Sequence, residues 1–245
     1  MNVLITGGTK GIGKELARRL ESEGHDVMTV GSGQADLSSL AATDALARAV
    51  GARFASLDAL VLGAFRYNPG RVETTEGFEH TWALYVLSRF LLAQRLRPLL
   101  ERASRPVIVN LCGTGGSTGR IHWDDVQLRR RYSGFRATMQ GARANDLLAL
   151  AGPPIRYVLY NPLFVRTAMA EHLAQPWRAV VKTASAVLAT PVERAAPPIL
   201  ELLTNPPDSP VSAFRAGRRI GVMVDPAASG RLRELVESHI ARVLR

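Results

Sequence analysis

This 245-residue chain has one cysteine, three lysines and no apolar run long enough to cross a bilayer. Cys112, standing alone, allows no internal disulfide and no thiolate metal cluster. With no run of about 18 apolar residues, no membrane-spanning segment is expected. The opening MNVLITGG has no basic segment followed by a long apolar stretch and a small-residue cleavage site. No signal peptide is therefore expected, and the cytoplasm is the expected compartment. No spacing of His, Asp and Glu suits a metal ion, so no metal is expected. The lysines are only Lys10, Lys14 and Lys182, so the formal net charge of +10 is almost entirely arginine. The arginines are scattered, with one dense run at Arg129–Arg131, in a chain rich in Ala and Leu, the composition of a GC-rich genome. A solvated basic surface is the simpler reading, and no nucleic-acid partner is expected.

Hydrophobic residues make up 47% of the chain, ample for the core of one α/β domain. Short β-branched runs alternate with helical periodicity. NVLIT, DVMTV, ALVLGAF, PVIVNLC and IRYVLYNP read as strands, and RRIGVMVD as the last one. GIGKELARRLESEG reads as a helix ended by Gly24, and SLAATDALARAVG as a helix with Ser39 as N-cap. Residues 77–100 read as one long helix, apolar almost all round, and the stretch after Arg129 leads another. VERAAPPILELLTN is a helix kinked or delayed at Pro197–Pro198, and the chain closes with a helix. Residues 166–190 are expected to form a helical flap over the sheet. The alternation predicts a single domain with a parallel sheet covered on both faces.

The strongest motif is ITGGTKGIGKEL, where a strand runs into Gly7, Gly11 and Gly13 and a helix follows at once. Glycines let backbone approach a pyrophosphate, and the helix N-terminus presents free N–H groups and the positive end of its dipole. The alternative is a tight turn with no ligand; the position between the first strand and first helix favours a nucleotide site.

The spacing T-G-x-x-x-G-x-G over Thr6–Gly13 resembles the short-chain dehydrogenase/reductase family. ADLSS, FEHTWALYVLSRFLL, VIVNLCG, YNPLFVRT and TPVERAAPPILELL are similar to further family segments. GRIHWDD and YSGFRATMQGARAN resemble its retinol-dehydrogenase-like branch. The resemblance implies a Rossmann-type doubly wound α/β fold and a nicotinamide cofactor. It places cofactor contacts at Gly7, Thr9, Lys10, Gly11, Ile12, Gly13, Ser32, Asp36, Leu37, Gly63 and Thr167. No helix fits between MTVGSG and QADLSS, and no acid ends the second strand to hold a ribose hydroxyl. Ser32 and Lys10 would suit a 2′-phosphate, so NADP(H) is expected in preference to NAD(H), either used or vestigial.

At its centre the resemblance fails in four places. The family's asparagine falls on Tyr85, its serine on Gly113, its tyrosine on Thr138 and its lysine on Ala142. Its Asn-Asn-Ala-Gly turn is Leu62–Phe65, and its Pro-Gly step is Pro162–Leu163. Losing a positioned general acid costs roughly 10² to 10⁴ in rate. Replacement candidates are Tyr85, Cys112, His122 beside Asp124 and Asp125, and Tyr132 with Arg136. Each has a plainer reading: Tyr85 as core, Cys112 as an inert buried thiol, His122 as a solvated loop residue, Tyr132 as a packing residue.

Three functions follow. The first is an enzyme acting without redox on a small hydrophobic metabolite, in space vacated by the lost side chains. The second is an NADP(H)-binding or silent partner subunit. The third is a reductase whose acid has moved to Tyr132 or Tyr85. The all-round apolar helix implies a homodimer or homotetramer packed on its second face.

Overall fold

The computed structural model describes residues 1–114, 119–151, 155–163, 165, 190–223 and 225–244. Residues 166–189 of the expected flap, Thr167 among them, lie outside the described residues. Seven strands form one sheet in the order β2-β1-β3-β4-β5-β6-β7. They are β1 (Asn2–Thr6), β2 (Asp26–Val30), β3 (Ala59–Leu62), β4 (Val107–Leu111), β5 (Arg156–Asn161), β6 (Val211–Arg215) and β7 (Arg218–Ile220). All pairings are parallel except the last, where β7 runs antiparallel to β6. The domain is therefore a Rossmann-like α/β fold.

Alternation along each strand divides the interior. Val3, Ile5, Val61, Val109 and Val158 face one side, packing with Ile12, Leu16 and Leu20 of α1 (Gly11–Ser22). α7 (Val192–Ala195) and α8 (Pro197–Thr204) cover the same side. Leu4, Leu60, Ile108 and Leu159 face the other side, with Leu46 and Val50 of α2 (Leu40–Arg53) and Leu92 of α4 (Ser88–Arg95). Residues successive in a strand must point to opposite faces, so strands buried on both sides are apolar throughout. The Ser39 side chain caps α2 as expected, accepting from Ala42 N–H.

The missing element after the second strand has a topological result. The doubly wound order of two mononucleotide halves is 3-2-1-4-5-6. Here β2 is the edge, and the chain passes by turns from Val30 into α2. One strand and its helix are gone from the first half, which narrows the sheet beside the expected adenosine site.

Three expectations need correction. The long helix does not start at Gly77, which sits at φ +79° in a turn. It starts at α3 (His80–Trp82), where the Glu79 carboxylate accepts from Thr81 and Trp82 N–H at 2.9 and 2.7 Å. It then widens into a π-helical turn at Ala83–Leu87, continues as α4, and breaks before α5 (Arg97–Leu100), which contains Pro98. Secondly, the last parallel strand is β6, in a stretch with no strand expectation. Among the described residues of RRIGVMVD only Arg218–Ile220 is strand, folded back through Ala216 (φ +47°) and Gly217 (φ +80°). Positive φ at both central residues makes the two-residue hairpin turn that matches strand twist.

Thirdly, the second face of the long helix is not left for a partner. The closing helix α9 (Pro226–Val243) lies over it and over α6 (Gly134–Leu150). Leu232 and Val236 are fully buried against Trp82, Val86, Phe90, Ala144 and Leu147. Ser229 Oγ donates to Leu147 O at 2.7 Å, and Trp82 Nε1 lies 3.3 Å from His239 Nδ1. The apolar surface that implied a homodimer or homotetramer is covered within the chain. Among the described residues no helix is long and apolar enough to cross a membrane.

Two outcomes follow. Subunit assembly should not use this covered face, and Leu232→Ala should cost about 2–5 kcal/mol in urea denaturation because α9 cannot collapse into the gap. A stable dimer unaffected by Leu232→Asp would show that this face is not what controls assembly. Secondly, burial, with Arg242 nearby, lowers the His239 pKa; burial, with Arg66, lowers that of His80. The folded state then binds fewer protons than the unfolded chain, so stability is complete above the ordinary histidine range near about 6.5 and falls as pH drops through it. Urea midpoints at pH 7.5 and 5.5 should differ, and His239→Gln should reduce the difference.

Candidate functional site

The strand C-termini meet where the order reverses, between β1 and β3. Gly7 (φ +71°) approaches Gly63 so closely that a Cβ on Gly7 would lie 2.7 Å from Gly63 O. A Cβ on Gly13 would lie 2.3 Å from Gly7 O. These glycines bring the N-terminus of α1 into the crevice. The Lys10 side chain does not cap that helix, leaving its first N–H groups for an anion. Thr6 holds the crevice together, its Oγ1 donating to Val61 O at 3.2 Å and accepting from Gly63 N–H at 3.1 Å.

The remaining expected cofactor residues divide. Thr9 and Lys10 are exposed, and a Cβ on Gly31 would lie 2.4 Å from Thr9 Oγ1, so exposed Ser32 joins them at the same rim. Ile12 and Leu37 are core. Asp36 is exposed, and its carboxylate accepts from Ser38 N–H and Oγ at 3.0 and 2.7 Å. Burial raises the Asp36 pKa, but these bonds with His80 and Arg66 outweigh it and leave it below the usual range. The loop and rim thus fit a pyrophosphate and an adjacent phosphate.

The far end of the cleft is filled. Tyr85 lies in the π-helical turn, only 4% exposed. Its ring lies so close to Gly141 that a Cβ there would meet Tyr85 Cδ1 at 2.5 Å. Its hydroxyl accepts from Gly113 N–H at 2.9 Å. A Cβ on Gly113 would lie 3.0 Å from the Ala142 Cβ and 4.0 Å from the Tyr85 hydroxyl. Tyr85 therefore stands among the positions of the lost serine and lysine. Burial pushes its pKa well above the ordinary phenol value, with neighbouring Cys112 adding to the shift. Cys112 is equally buried, and burial pushes its thiol up to about 12, so it is not a thiolate near neutral pH.

Three polar residues central to this arrangement carried no expectation. Arg89, 2% exposed, stacks its guanidinium on the Tyr85 ring, 4.4 Å from the centroid. It donates to Leu111 O at 2.8 Å, Ala64 O at 2.7 Å and the side-chain oxygen of Asn110. Asn110 donates to Asn145 Oδ1 at 2.7 Å and the Tyr157 hydroxyl at 2.9 Å. Asn145 donates to Tyr85 O at 2.8 Å, satisfying a carbonyl in the π turn. The signal was present: Arg89, Asn110 and Asn145 are polar residues inside apolar runs.

The other two candidates lie apart from Tyr85 and Cys112 in the packing. Tyr132 precedes α6, whose N-cap is Ser133; its hydroxyl donates to Asn68 O at 3.0 Å, and Glu79 Oε1 lies 3.4 Å away. Burial and the Glu79 charge push it up to about 12. His122 lines a surface cavity of about 570 Å³ with Arg120, Arg130, Arg131 and Arg136. Burial and the charges of Arg136 and Arg120 lower its pKa, keeping the imidazole neutral near pH 7. No group of three or more His, Cys, Asp or Glu could hold a metal among the described residues.

Comparison with known proteins bears on this geometry. The sequence model of the family described as short chain dehydrogenase matches residues 1–42. The protein named "Putative ketoacyl reductase" from Streptomyces coelicolor is 30% identical over 206 residues, 71% of this chain and 76% of that protein. Human "Retinol dehydrogenase 12" is 28% identical over 208 residues, 72% of this chain and 66% of that protein. The 3-alpha-hydroxysteroid dehydrogenase of Pseudomonas sp. B-0831, solved with NADH, superposes with a TM-score of 0.71 at 22% identity, over 89% of this chain and 96% of its own.

A buried, bonded phenol and an accessible catalytic one respond differently to substitution. Tyr85→Phe leaves the Gly113 N–H without its acceptor and should cost about 1–3 kcal/mol. Tyr85→Ala should cost about 3–5 kcal/mol, the range for emptying a buried aromatic site. Chemical denaturation checks both, and a stability-neutral Tyr85→Phe would show that the hydroxyl is not held as described.

Proposed function

The chain belongs to the short-chain dehydrogenase/reductase family, in its retinol-dehydrogenase-like branch, and we propose that it binds a nicotinamide dinucleotide without reducing ketones by the family's tyrosine acid. The carrying observation is the Tyr85 ring, packed on Gly141 with its hydroxyl on the Gly113 N–H, beside the positions that match the family's serine and lysine. The glycine loop supports the nucleotide half of the reading. Gly11, Ile12 and Gly13 N–H groups would take the pyrophosphate, and Lys10 with Ser32 at the rim favours NADP(H) over NAD(H). A bound nicotinamide supplies a hydride donor or acceptor. Thr138 and Ala142 offer neither a proton near neutral pH nor a charge to grip the ribose. Tyr85 is buried and its pKa is raised, and Tyr132 is engaged with Asn68 and Glu79, so neither replaces the missing acid. Weaker binding than in a complete family member follows from the lost ribose contact.

A second reading is favoured by one observation, the neutral His122 in its cavity. An imidazole held unprotonated between arginines is a competent general base, which supports a non-redox proton abstraction on a small molecule bound there. The cytoplasm suits both readings, since it keeps Cys112 reduced. A homodimer or homotetramer would have to use a surface other than the one under α9, such as the β2 edge.

Calorimetry separates these ideas. NADPH should bind and Gly11→Asp should abolish binding, because a carboxylate would meet the pyrophosphate. NADPH oxidation with simple ketones should stay at background. Absence of binding by either nucleotide would reduce the loop to a structural relic. Ketone reduction at ordinary enzymatic rates would overturn the reading of Tyr85. Turnover without nucleotide that stops in His122→Gln would raise the second reading above the first.

A further inference from the structure

The cavity beside α6 lies off the family's catalytic positions, since neither Tyr85, Cys112, Gly113, Thr138 nor Ala142 lines it. Its walls are fixed by an unusual density of constraints for a surface loop. Gln140 of α6 accepts from His122 N–H and donates to Val126 O, both at 2.9 Å. The two oxygens of Asp125 accept from Arg129 and Arg130 N–H, both at 2.9 Å. Leu128 and Arg131 hold left-handed backbone at φ +46° and +53°, a conformation that costs a non-glycine residue about 1–3 kcal/mol and persists only where surroundings enforce it. The result is a built concavity, with Arg136 donating to Arg131 O across it.

Its charge is unbalanced. Four guanidiniums face Asp124 and Asp125, and the Asp125 oxygens are already engaged by backbone. Of these four, only Arg130 has a carboxylate of a described residue within 4.0 Å, Asp125 at 3.9 Å. Arg136 instead points Nη2 at the His122 ring, 3.4 Å from Nε2. A second recess of about 240 Å³ shares Arg120, His122 and Arg136 and adds Phe135 and Met139. Phe135 is 63% exposed, the most exposed large apolar side chain among those described. Cations at one end and uncovered apolar surface at the other define a ligand with both characters.

We propose that this double cavity binds a small carboxylic acid with an apolar, ring-sized body, its carboxylate on Arg120, Arg131 and Arg136 and its body against Phe135 and Met139. The proposal gives a ligand class to the cavity of the second reading, but requires neither turnover nor a bound nucleotide. Guanidinium forks match a carboxylate bidentately. The net charge of +10 steers anions toward the surface in general, whereas the exposed ring selects among them.

The test is titration calorimetry with 1-naphthoate as probe, and acetate, inorganic phosphate and 1-naphthol as comparisons. Naphthoate should bind at least ten times more tightly than acetate or naphthol, and its affinity should fall with added salt. Arg120→Ala with Arg131→Ala should weaken it about tenfold or more, as should Phe135→Asp, and circular dichroism should show these exposed-site variants folded. Gly11→Asp should leave naphthoate binding intact, so failure of the nucleotide reading would not disturb this one. Equal binding of naphthol would leave only an apolar patch, and equal binding of phosphate only a general anion patch; either overturns the proposal. So does naphthoate binding that is absent or indifferent to the arginine substitutions.

Discussion

A buried guanidinium has to be wrapped in oxygen atoms, because its desolvation is otherwise prohibitive. At Arg89 the oxygens come from two strand ends and one side chain: Ala64 O after β3, Leu111 O of β4 and the Asn110 amide oxygen. Asn110 then has its own donors to place, and they go to Asn145 in α6 and Tyr157 in β5. Asn145 in turn satisfies Tyr85 O. One buried cation thereby fixes the relation of the sheet edge, α6 and the π-helical turn. The Tyr85 ring lies on this cation, held from above by Gly141 and at its hydroxyl by Gly113. The rearranged centre is consistent as a unit. Restoring a single family residue would meet a neighbour already in place, as the 3.0 Å from a Gly113 Cβ to Ala142 shows.

The π-helical turn belongs to the same logic. A wide turn leaves carbonyls without their usual i+4 donors, and here side chains supply them: Asn145 to Tyr85 O, and Ser88 Oγ to Leu84 O at 2.7 Å. Without these donors the extra residue in the turn would leave buried acceptors bare, and the ring could not be set into the cleft.

What the sequence discloses depends on whether the cause is local. The glycine loop was legible because its spacing between the first strand and the first helix is local, although the residue that crowds Gly7 is the distant Gly63. So were the Ser39 cap and the direct passage from the second strand to α2. Strands buried on both faces were legible from their apolar runs. β6 was not, because VSAFR has too little apolar character to stand out and becomes a strand only by pairing with β5. The π turn was invisible because its stabilising donor lies 60 residues away. The cover supplied by α9 was misread as a subunit interface, since an apolar helix face looks the same whatever later covers it. The four altered positions at the centre were each legible, but not that one of them, Tyr85, would pack on Gly141 with its hydroxyl on Gly113.

The closing helix has a consequence in mass action. Proteins that cover an apolar helix with a second subunit tie their folded state to concentration, and dilution strips the cover away. Here α9 is tethered to the surface it covers, so its effective concentration is set by the intervening chain and does not change on dilution. Leu232 and Val236 stay buried at any expression level. Loss of α9 would instead expose Trp82, Val86 and Phe90 together, turning a concentration-independent fold into an aggregating one.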